Sequence, residues 1–132
     1  KLIDQDSESY DNVLKALRLP KKTNVEQIKR NNEVKHANIN AANIPLKVLE
    51  LSTSILNDCH DVSKCCNINS ISDVSVASEL LKAASYRASY NILINIKSLS
   101  KSKIISYKEK IDFYLKQAED SYLKIKNNLN YE

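Results

Sequence analysis

Two carboxylates in the stretch LIDQDSESY, Asp4 and Asp6, are the first side chains of this 132-residue chain that suggest chemistry. The apolar spacing around them predicts that both lie in the opening turns of a helix. Carboxylates at that end are stabilised by the helix dipole, so a structural role is one interpretation. A carboxylate that faces a cleft can instead donate and accept a proton during a reaction. The spacing alone leaves both interpretations open.

A second set of polar side chains lies in SISDVSVASELLKAASYRASYNILINI, between Ser70 and Ile96. Steps of three or four place seven residues on one face of a predicted helix: Asp73, Ala77, Leu80, Ala84, Ala88, Asn91 and Asn95. Asp73 and Asn91 are separated by roughly 27 Å at the standard helical rise, so they cannot contact one small ligand within one chain. We therefore expect separate roles, or a site that reaches a second subunit. Interhelical hydrogen bonds are the structural alternative.

Cysteine and histidine also cluster, as Cys59, His60, Cys65 and Cys66, which raises the question of a zinc site. The spacing C-H-x4-C-C differs from the paired C-x2-4-C ligands of structural zinc sites. In a helix, His60 points about 100° away from Cys59. We predict small buried thiols, an exposed histidine and no metal. Because three cysteines cannot all pair with one another, we expect a reducing, cytoplasmic environment.

The elements that must position these groups are predicted to be helices. The chain has no glycine and only 2 prolines, so tight turns that need positive φ are disfavoured. The sequence predicts an all-α fold, an elongated antiparallel bundle of about four long helices. Their predicted positions are residues 4–17, a long helix opened by the capping box of Thr23 and Glu26, a helix from the N-cap Ser72 to about Lys97, and residues 102–128.

The long second helix contains Pro45, which removes one backbone donor. Two helices that meet there are one possibility. The apolar pattern continues in phase through Leu46, Leu49 and Leu56, which favours one helix kinked at Pro45. A second apolar stripe predicts a central helix that is buried on more than one side: Val48, Leu51, Ile55, Cys59 and Val62.

The charge pattern argues against two classes of partner. The net charge is +4 and the lysines are scattered, whereas nucleic-acid-binding proteins usually carry a basic stripe on one face. No apolar run approaches the length of about 20 residues that a membrane span requires. We therefore expect neither a nucleic acid nor a membrane as a partner.

The order of motifs resembles the cyclodeaminase/cyclohydrolase family of folate one-carbon enzymes. The resemblance covers nearly the whole chain and rests on the series of motifs, since no single one is decisive. It is carried by Arg30 and by four stretches, LIDQDSESYDNVLKALRLPK (2–21), AANIPLKVLELS (41–52), NINSISDVSVASELLKAA (67–84) and NILINIKSL (91–99).

This resemblance implies an elongated helical bundle that is commonly a homodimer, with a tetrahydrofolate derivative as substrate and no metal. The implied reaction is ring closure of 5-formiminotetrahydrofolate with loss of ammonia, or reversible hydrolysis of 5,10-methenyltetrahydrofolate. By the resemblance, Asp6 is the catalytic acid/base and Arg30 contacts a folate carboxylate. Asp73, Asn91 and Asn95 position the folate or hold helices in register.

Two departures from the family pattern affect the expected domain, residues 1–132. The N-terminal helix hairpin and its glycine-rich P-G-G-G-S type loop are not found, so we expect that part outside this chain or lost from the protein. Glycines common in the family are replaced by Cys66, Ser75 and Arg87. The alternative functions are a non-catalytic helical relative that forms dimers, and an unrelated helical adaptor.

Overall fold

The computed structural model of the chain describes residues 1–129, most of which lie in four α-helices. These helices are α1 (Leu2–Leu17), α2 (Asn24–Ser63), α3 (Ile71–Asn95) and α4 (Lys101–Asn128), and a 3₁₀ turn, Ile68–Ser70, precedes α3. No strand occurs within residues 1–129. The prediction of an all-α fold with four helices is confirmed. The predicted domain end at residue 132 lies outside the described residues.

The long helix α2 begins with the predicted capping box. The Glu26 N–H donates to Thr23 Oγ1 at 3.2 Å, and the Thr23 N–H donates to Glu26 Oε2 at 3.0 Å. The helix then continues for 40 residues, roughly 60 Å, and passes through Pro45 without ending. Each of the other three helices contacts α2, as predicted for a central helix.

The start of α3 differs from its prediction. We expected Ser72 to be the N-cap, but α3 begins at Ile71 and Ser72 lies inside it. The Asn67 Oδ1 atom accepts the N–H groups of Asn69 and Ser70 at 3.0 and 3.2 Å, so the 3₁₀ turn is capped instead and leads directly into the helix. Where the other helix ends differ from prediction, the difference is one or two residues, as is usual for helix termini.

Side-chain hydrogen bonds show the relative directions of the helices. Four pairs join α2 to α4 at a nearly constant separation along the chain, which makes these two helices parallel: Tyr107–Asn43, Tyr114–Glu50, Ser121–Asn57 and Asn128–Ser63. The helix between them, α3, is antiparallel to α2, because Asn95 meets Ala41 while Ser85 meets Ser52. Along each helix, the paired residues recur about every seven positions. The whole row therefore lies on one face of α2 and one face of α4.

Serine fills many of the close contacts between helices. The buried polar residues are Ser9, Ser52, Thr53, Ser63, Ser78, Ser85, Ser89 and Ser121. Ser85 Oγ donates to the Leu81 carbonyl at 3.0 Å and lies 2.8 Å from Ser52 Oγ across the α2–α3 interface. A hydroxyl satisfied by the preceding turn of its own helix can be buried at little cost. Serine therefore supplies small packing residues in a chain without glycine.

Part of the predicted apolar surface remains open. Leu51 and Ile55 are each 45% exposed and Val62 is 48% exposed, although the second stripe of α2 was expected to be buried. That expectation was wrong for these three residues. The 16-residue helix α1 has less than half the length of α2, so it cannot cover the whole of the adjacent α2 face.

Pro45 leaves one carbonyl of α2 without its usual partner, and α3 supplies a replacement. In a regular helix the N–H of residue 45 would donate to the carbonyl of Ala41, but proline has no N–H. The Asn95 Nδ2 atom donates to this carbonyl at 3.1 Å. Ala41 and Pro45 are both buried, so the hydrogen bond satisfies a carbonyl that has little access to water. Asn95 therefore fixes the end of α3 against the proline turn of α2.

A network of charged and phenolic groups joins α3 to α4. Lys82 Nζ lies 2.9 Å from Glu119 Oε1 and 4.0 Å from the ring centre of Tyr122. The Tyr122 hydroxyl donates to Glu79 Oε1 at 2.6 Å. This hydrogen bond, with smaller effects of burial and nearby carboxylates, raises the pKa of Tyr122 to about 12. The same bond is the main cause of a lowered Glu79 pKa.

We expect the effect of Asn95→Ala on stability to depend on Pro45. With Pro45 present, the substitution leaves the buried Ala41 carbonyl unpaired and lowers the free energy of unfolding by about 1–3 kcal/mol. In a Pro45→Ala background, the new N–H donates to the same carbonyl, so the loss is smaller. Urea unfolding of the four proteins, followed by circular dichroism, measures the difference. Asn32→Ala is the exposed control, and equal losses from Asn95→Ala in both backgrounds would contradict the assignment.

We expect the Tyr122–Glu79 bond to stabilise the protein between two pH limits. The folded pKa of Tyr122 is raised, so its contribution is complete below pH 10 and is lost as the pH rises towards about 12. The folded pKa of Glu79 is lowered from 4.5, so its contribution is lost as the pH falls through the folded value. Urea unfolding across this range should show a weaker alkaline loss in Tyr122→Phe. Exposed Tyr10→Phe is the control, and an unchanged alkaline loss in Tyr122→Phe would show that the bond contributes nothing.

Candidate functional site

A cleft lies between α1 and α3, with α2 as its floor. Both helices pack on α2, and no Cα atom of α1 lies within 8 Å of a Cα atom of α3. Two hollows, of about 630 and 530 Å³, occupy this space. Asp6, Ser7 and Asn91 line both hollows, so the two adjoin and form one continuous depression. We refer to it as the α1–α3 cleft.

The larger hollow is rich in amides, and we call it the amide half. Its lining mixes amide, hydroxyl and charged side chains with apolar ones: Asp6, Ser7, Ser9, Tyr10, Asp11, Val13, Asn38, Ala41, Asn91, Ile94, Asn95, Lys97 and Ser98. Asn38 Nδ2 donates to Ser98 Oγ at 2.8 Å, which holds the end of the cleft together. A planar heterocycle with several donors and acceptors fits such a lining.

The smaller hollow is mainly hydrocarbon, and we call it the apolar half. Beyond the three shared residues it is lined by Leu2, Ile3, Ile44, Pro45, Val48, Ala84, Arg87 and Ala88. The alanines Ala84 and Ala88 belong to the small-residue row predicted on α3. Within residues 1–129, part of this α3 row borders the apolar half. The small side chains Ala84 and Ala88 leave the space of the hollow unfilled there. Among residues 1–129, Arg87 is the only cation in the lining.

Asp6 lies where the two halves meet. Its side chain is exposed, and its carboxylate makes no hydrogen bond or ion pair with any of residues 1–129. The buried Ser9 donates from Oγ to the Asp6 carbonyl at 2.8 Å, which supports the backbone at this turn. Asp4, in contrast, lines neither hollow. The geometry therefore separates two carboxylates that their spacing alone could not distinguish.

The two asparagines of α3 differ in their hydrogen bonding. Asn91 lines both halves, and its side-chain amide makes no hydrogen bond with residues 1–129, so this amide is available to a ligand. Asn95 lines the amide half, but its Nδ2 atom is already bonded to the Ala41 carbonyl. The register-holding interpretation of Asn95 matches this contact. Its direct contact with substrate stays a prediction.

The structure does not bring Arg30 or Asp73 to the cleft. Arg30 is half-buried and donates from Nε to the Leu17 carbonyl at 3.1 Å, where the chain leaves α1. Asp73 is exposed in the first turn of α3, roughly 27 Å along the helix from Asn91. Neither residue lines the two hollows. The substrate-binding roles predicted for them have no support from their positions within one chain.

Two cleft residues, Tyr10 and Arg87, had no functional role in the sequence interpretation. Tyr10 follows Asp6 by one helical turn, and Arg87 precedes Asn91 by one turn. The i, i+4 spacing around each predicted site residue was therefore the signal that could have identified them. Tyr10 is 63% exposed and lines the amide half.

Other features lie apart from the cleft. No group of three or more His, Cys, Asp or Glu side chains within residues 1–129 is arranged to hold a metal ion. Burial, followed by the charge of Asp58, raises the pKa of the Cys59 thiol. A third hollow, of about 410 Å³, includes Lys15, Lys29 and His36 and does not reach Asp6. None of the helices in the described part of the chain has the length and hydrophobicity to cross a membrane.

Known proteins share both the sequence pattern and the fold. The formimidoyltransferase-cyclodeaminase of Rattus norvegicus is 29% identical over 99 residues, which cover 75% of this chain and 18% of that protein. The methenyltetrahydrofolate cyclohydrolase of Methylorubrum extorquens is 31% identical over 98 residues, 74% of this chain and 47% of that protein. The chain thus spans less than half the length of either relative.

A crystal structure of formiminotetrahydrofolate cyclodeaminase from Thermotoga maritima has the same fold, with a TM-score of 0.83 and 24% identity. The superposition covers 97% of this chain and 60% of that one. The family model described as formiminotransferase-cyclodeaminase matches residues 1–112. This chain belongs to the formiminotransferase-cyclodeaminase family.

Proposed function

We propose that the chain forms the folate-binding helices of a one-carbon enzyme, a formiminotetrahydrofolate cyclodeaminase or a methenyltetrahydrofolate cyclohydrolase. The observation that carries the proposal is the position of Asp6, where two hollows adjoin in a cleft large enough for an extended ligand. The family membership of residues 1–112 supports the folate class. The activity of the whole protein is part of the proposal, because the relatives are longer than this chain.

Both reactions require a proton to be moved at one carbon between two nitrogens. In ring closure, the second folate nitrogen attacks the formimino carbon, and the tetrahedral adduct then releases ammonia. In hydrolysis, water adds to the bridging carbon and one carbon–nitrogen bond breaks. A carboxylate beside that carbon can take the proton from the attacking group and return it to the leaving nitrogen. Asp6 is assigned this role, because no residue within 1–129 competes for its carboxylate.

The other predicted residues act around this centre. Asn91 donates to or accepts from the ligand where the two hollows meet. Asn95 acts on the cleft through the Ala41 carbonyl and is a positioning residue in this proposal. Arg30 holds the end of α1 through the Leu17 carbonyl. The glycine-rich segment of the family, which this chain does not contain, would belong to another part of the protein. Three free thiols suit a reducing cytoplasm.

Asp6→Asn should lower turnover by about 10²–10⁴-fold, because the amide cannot accept and return the proton. The substitution keeps the size of the side chain, so the KM should change much less than kcat. The methenyl-folate absorbance measures turnover in the protein that carries this chain, from either substrate. Asp4→Asn is the matched control on the same helix, outside the cleft. Undiminished turnover in Asp6→Asn would refute the assignment, and an inactive parent protein would favour the non-catalytic relative.

We also propose that the assembly is a homodimer formed through α3. An apolar row on this helix is open to solvent within residues 1–129: Val76 (60% exposed), Leu80 (66%), Tyr90 (62%) and Ile94 (62%). A second copy on this row would bury apolar side chains that otherwise face water. Within one chain, Asp73 lies too far from Asn91 to share a site with it. The dimer would allow Asp73 of one copy to reach the cleft of the other copy.

Leu80→Glu should therefore convert a dimer into a monomer, because it introduces a charge into the buried centre of the contact. Sedimentation velocity at micromolar concentration measures the mass. Leu123→Glu, on the exposed side of α4, is the control and should leave the dimer intact. A parent protein that sediments as a monomer would exclude the homodimer, and a Leu80→Glu variant that stays dimeric would place the interface elsewhere.

A further inference from the structure

We propose that Arg87 binds the glutamate carboxylate of the folate, with the pterin in the amide half of the α1–α3 cleft and the aminobenzoyl ring in the apolar half. This inference rests on the proposed function and specifies the orientation of the folate in the cleft. It also identifies Arg87 as a residue that selects glutamate-bearing folates over pteroates. No such role follows from the motifs, because the motif interpretation gave the carboxylate to Arg30.

The first support is the difference in polarity between the two halves. The amide half offers the Asn91 amide, the side-chain carbonyl oxygens of Asn38 and Asn95, and hydroxyl groups, which suit the amino, amide and ring nitrogens of a pterin. The apolar half offers aliphatic walls, which suit a benzoyl ring. A folate has this same order of groups along its length. The polarity of the cleft therefore fits one orientation of the ligand better than the reverse.

The second support is the place of the reacting carbon. In a reduced folate the one-carbon group lies between the pterin and the aminobenzoyl group. With the pterin in the amide half, this carbon lies where the two hollows adjoin, beside Asp6 and Asn91. The orientation derived from polarity therefore places the one-carbon group beside the Asp6 carboxylate. The acid/base role of Asp6 was assigned separately, from the family resemblance.

The third support is the state of Arg87 itself. It lies one helical turn before Asn91, roughly 6 Å away along α3, on the side of the apolar half. Its side chain is exposed and makes no hydrogen bond or ion pair with residues 1–129, including Asp6. The remaining lining of this half is uncharged apart from Asp6. A guanidinium without a partner can bind a carboxylate through two parallel hydrogen bonds.

The test compares two ligands that differ only in the glutamate. Isothermal titration calorimetry measures the affinity of the protein that carries this chain for 5-formyltetrahydrofolate and for 5-formyltetrahydropteroate. The parent should bind the folate at least tenfold more tightly. Arg87→Gln should lose this preference through weaker folate binding, with an unchanged affinity for the pteroate. Arg87→Lys should retain part of the preference, because it keeps the charge but not the planar fork.

Two further variants make the result specific. Arg18→Gln removes another exposed arginine, outside the cleft, and should keep the full preference. Lys97→Gln removes the cation of the amide half, and loss of the preference in this variant would show the reverse orientation and overturn the proposal. A preference that persists in Arg87→Gln would also overturn it. Equal binding of both ligands by the parent refutes only the role of Arg87, whereas binding of neither refutes the proposed function itself.

Discussion

The α1–α3 cleft depends on a hydrogen bond from the Asn95 amide to the Ala41 carbonyl, which Pro45 leaves without a helical donor. This bond joins the last turn of α3 to α2, beside the apolar core that the two helices share. Because Asn91 and Arg87 lie one and two turns before Asn95 on the same helix, their positions above the floor of the cleft follow from it. Pro45 thus leaves the Ala41 carbonyl without a helical donor, and Asn95 on the neighbouring helix α3 donates a hydrogen bond to it.

The cleft exists because α1 and α3 both pack on α2. The α1 and α3 helices each bury a face on α2 but do not meet, so a gap along α2 is left between them. The small side chains Ala41, Ala84 and Ala88 line that gap, which keeps it open. The other three helices, α2, α3 and α4, pack on one another through serine contacts and a row of α2–α4 hydrogen bonds. Asp6 is carried by α1, the helix that packs on α2 alone.

Charged groups of both signs line the cleft. Asp6 occupies the centre, Arg87 lies on the apolar side, and Asp11 and Lys97 lie on the amide side. None of these four groups pairs with another residue of the described chain, so each remains available to a bound molecule. The charged network of α3 and α4 behaves differently. Lys82, Glu119, Glu79 and Tyr122 satisfy one another there and stabilise helix packing.

The sequence by itself determined the helical fold, because the absence of glycine, the capping box at Thr23 and the apolar periods are local properties of the chain. It also indicated the family, Asp6 and the asparagines, because short motifs report residue types and spacing. Only the tertiary structure decided that Asp6 and not Asp4 reaches the cleft, and that Arg30 supports α1 while Arg87 lines the site. Helical periodicity specifies which residues share a face of one helix. Which faces meet, and which leave a gap, depends on packing between helices that are distant in sequence.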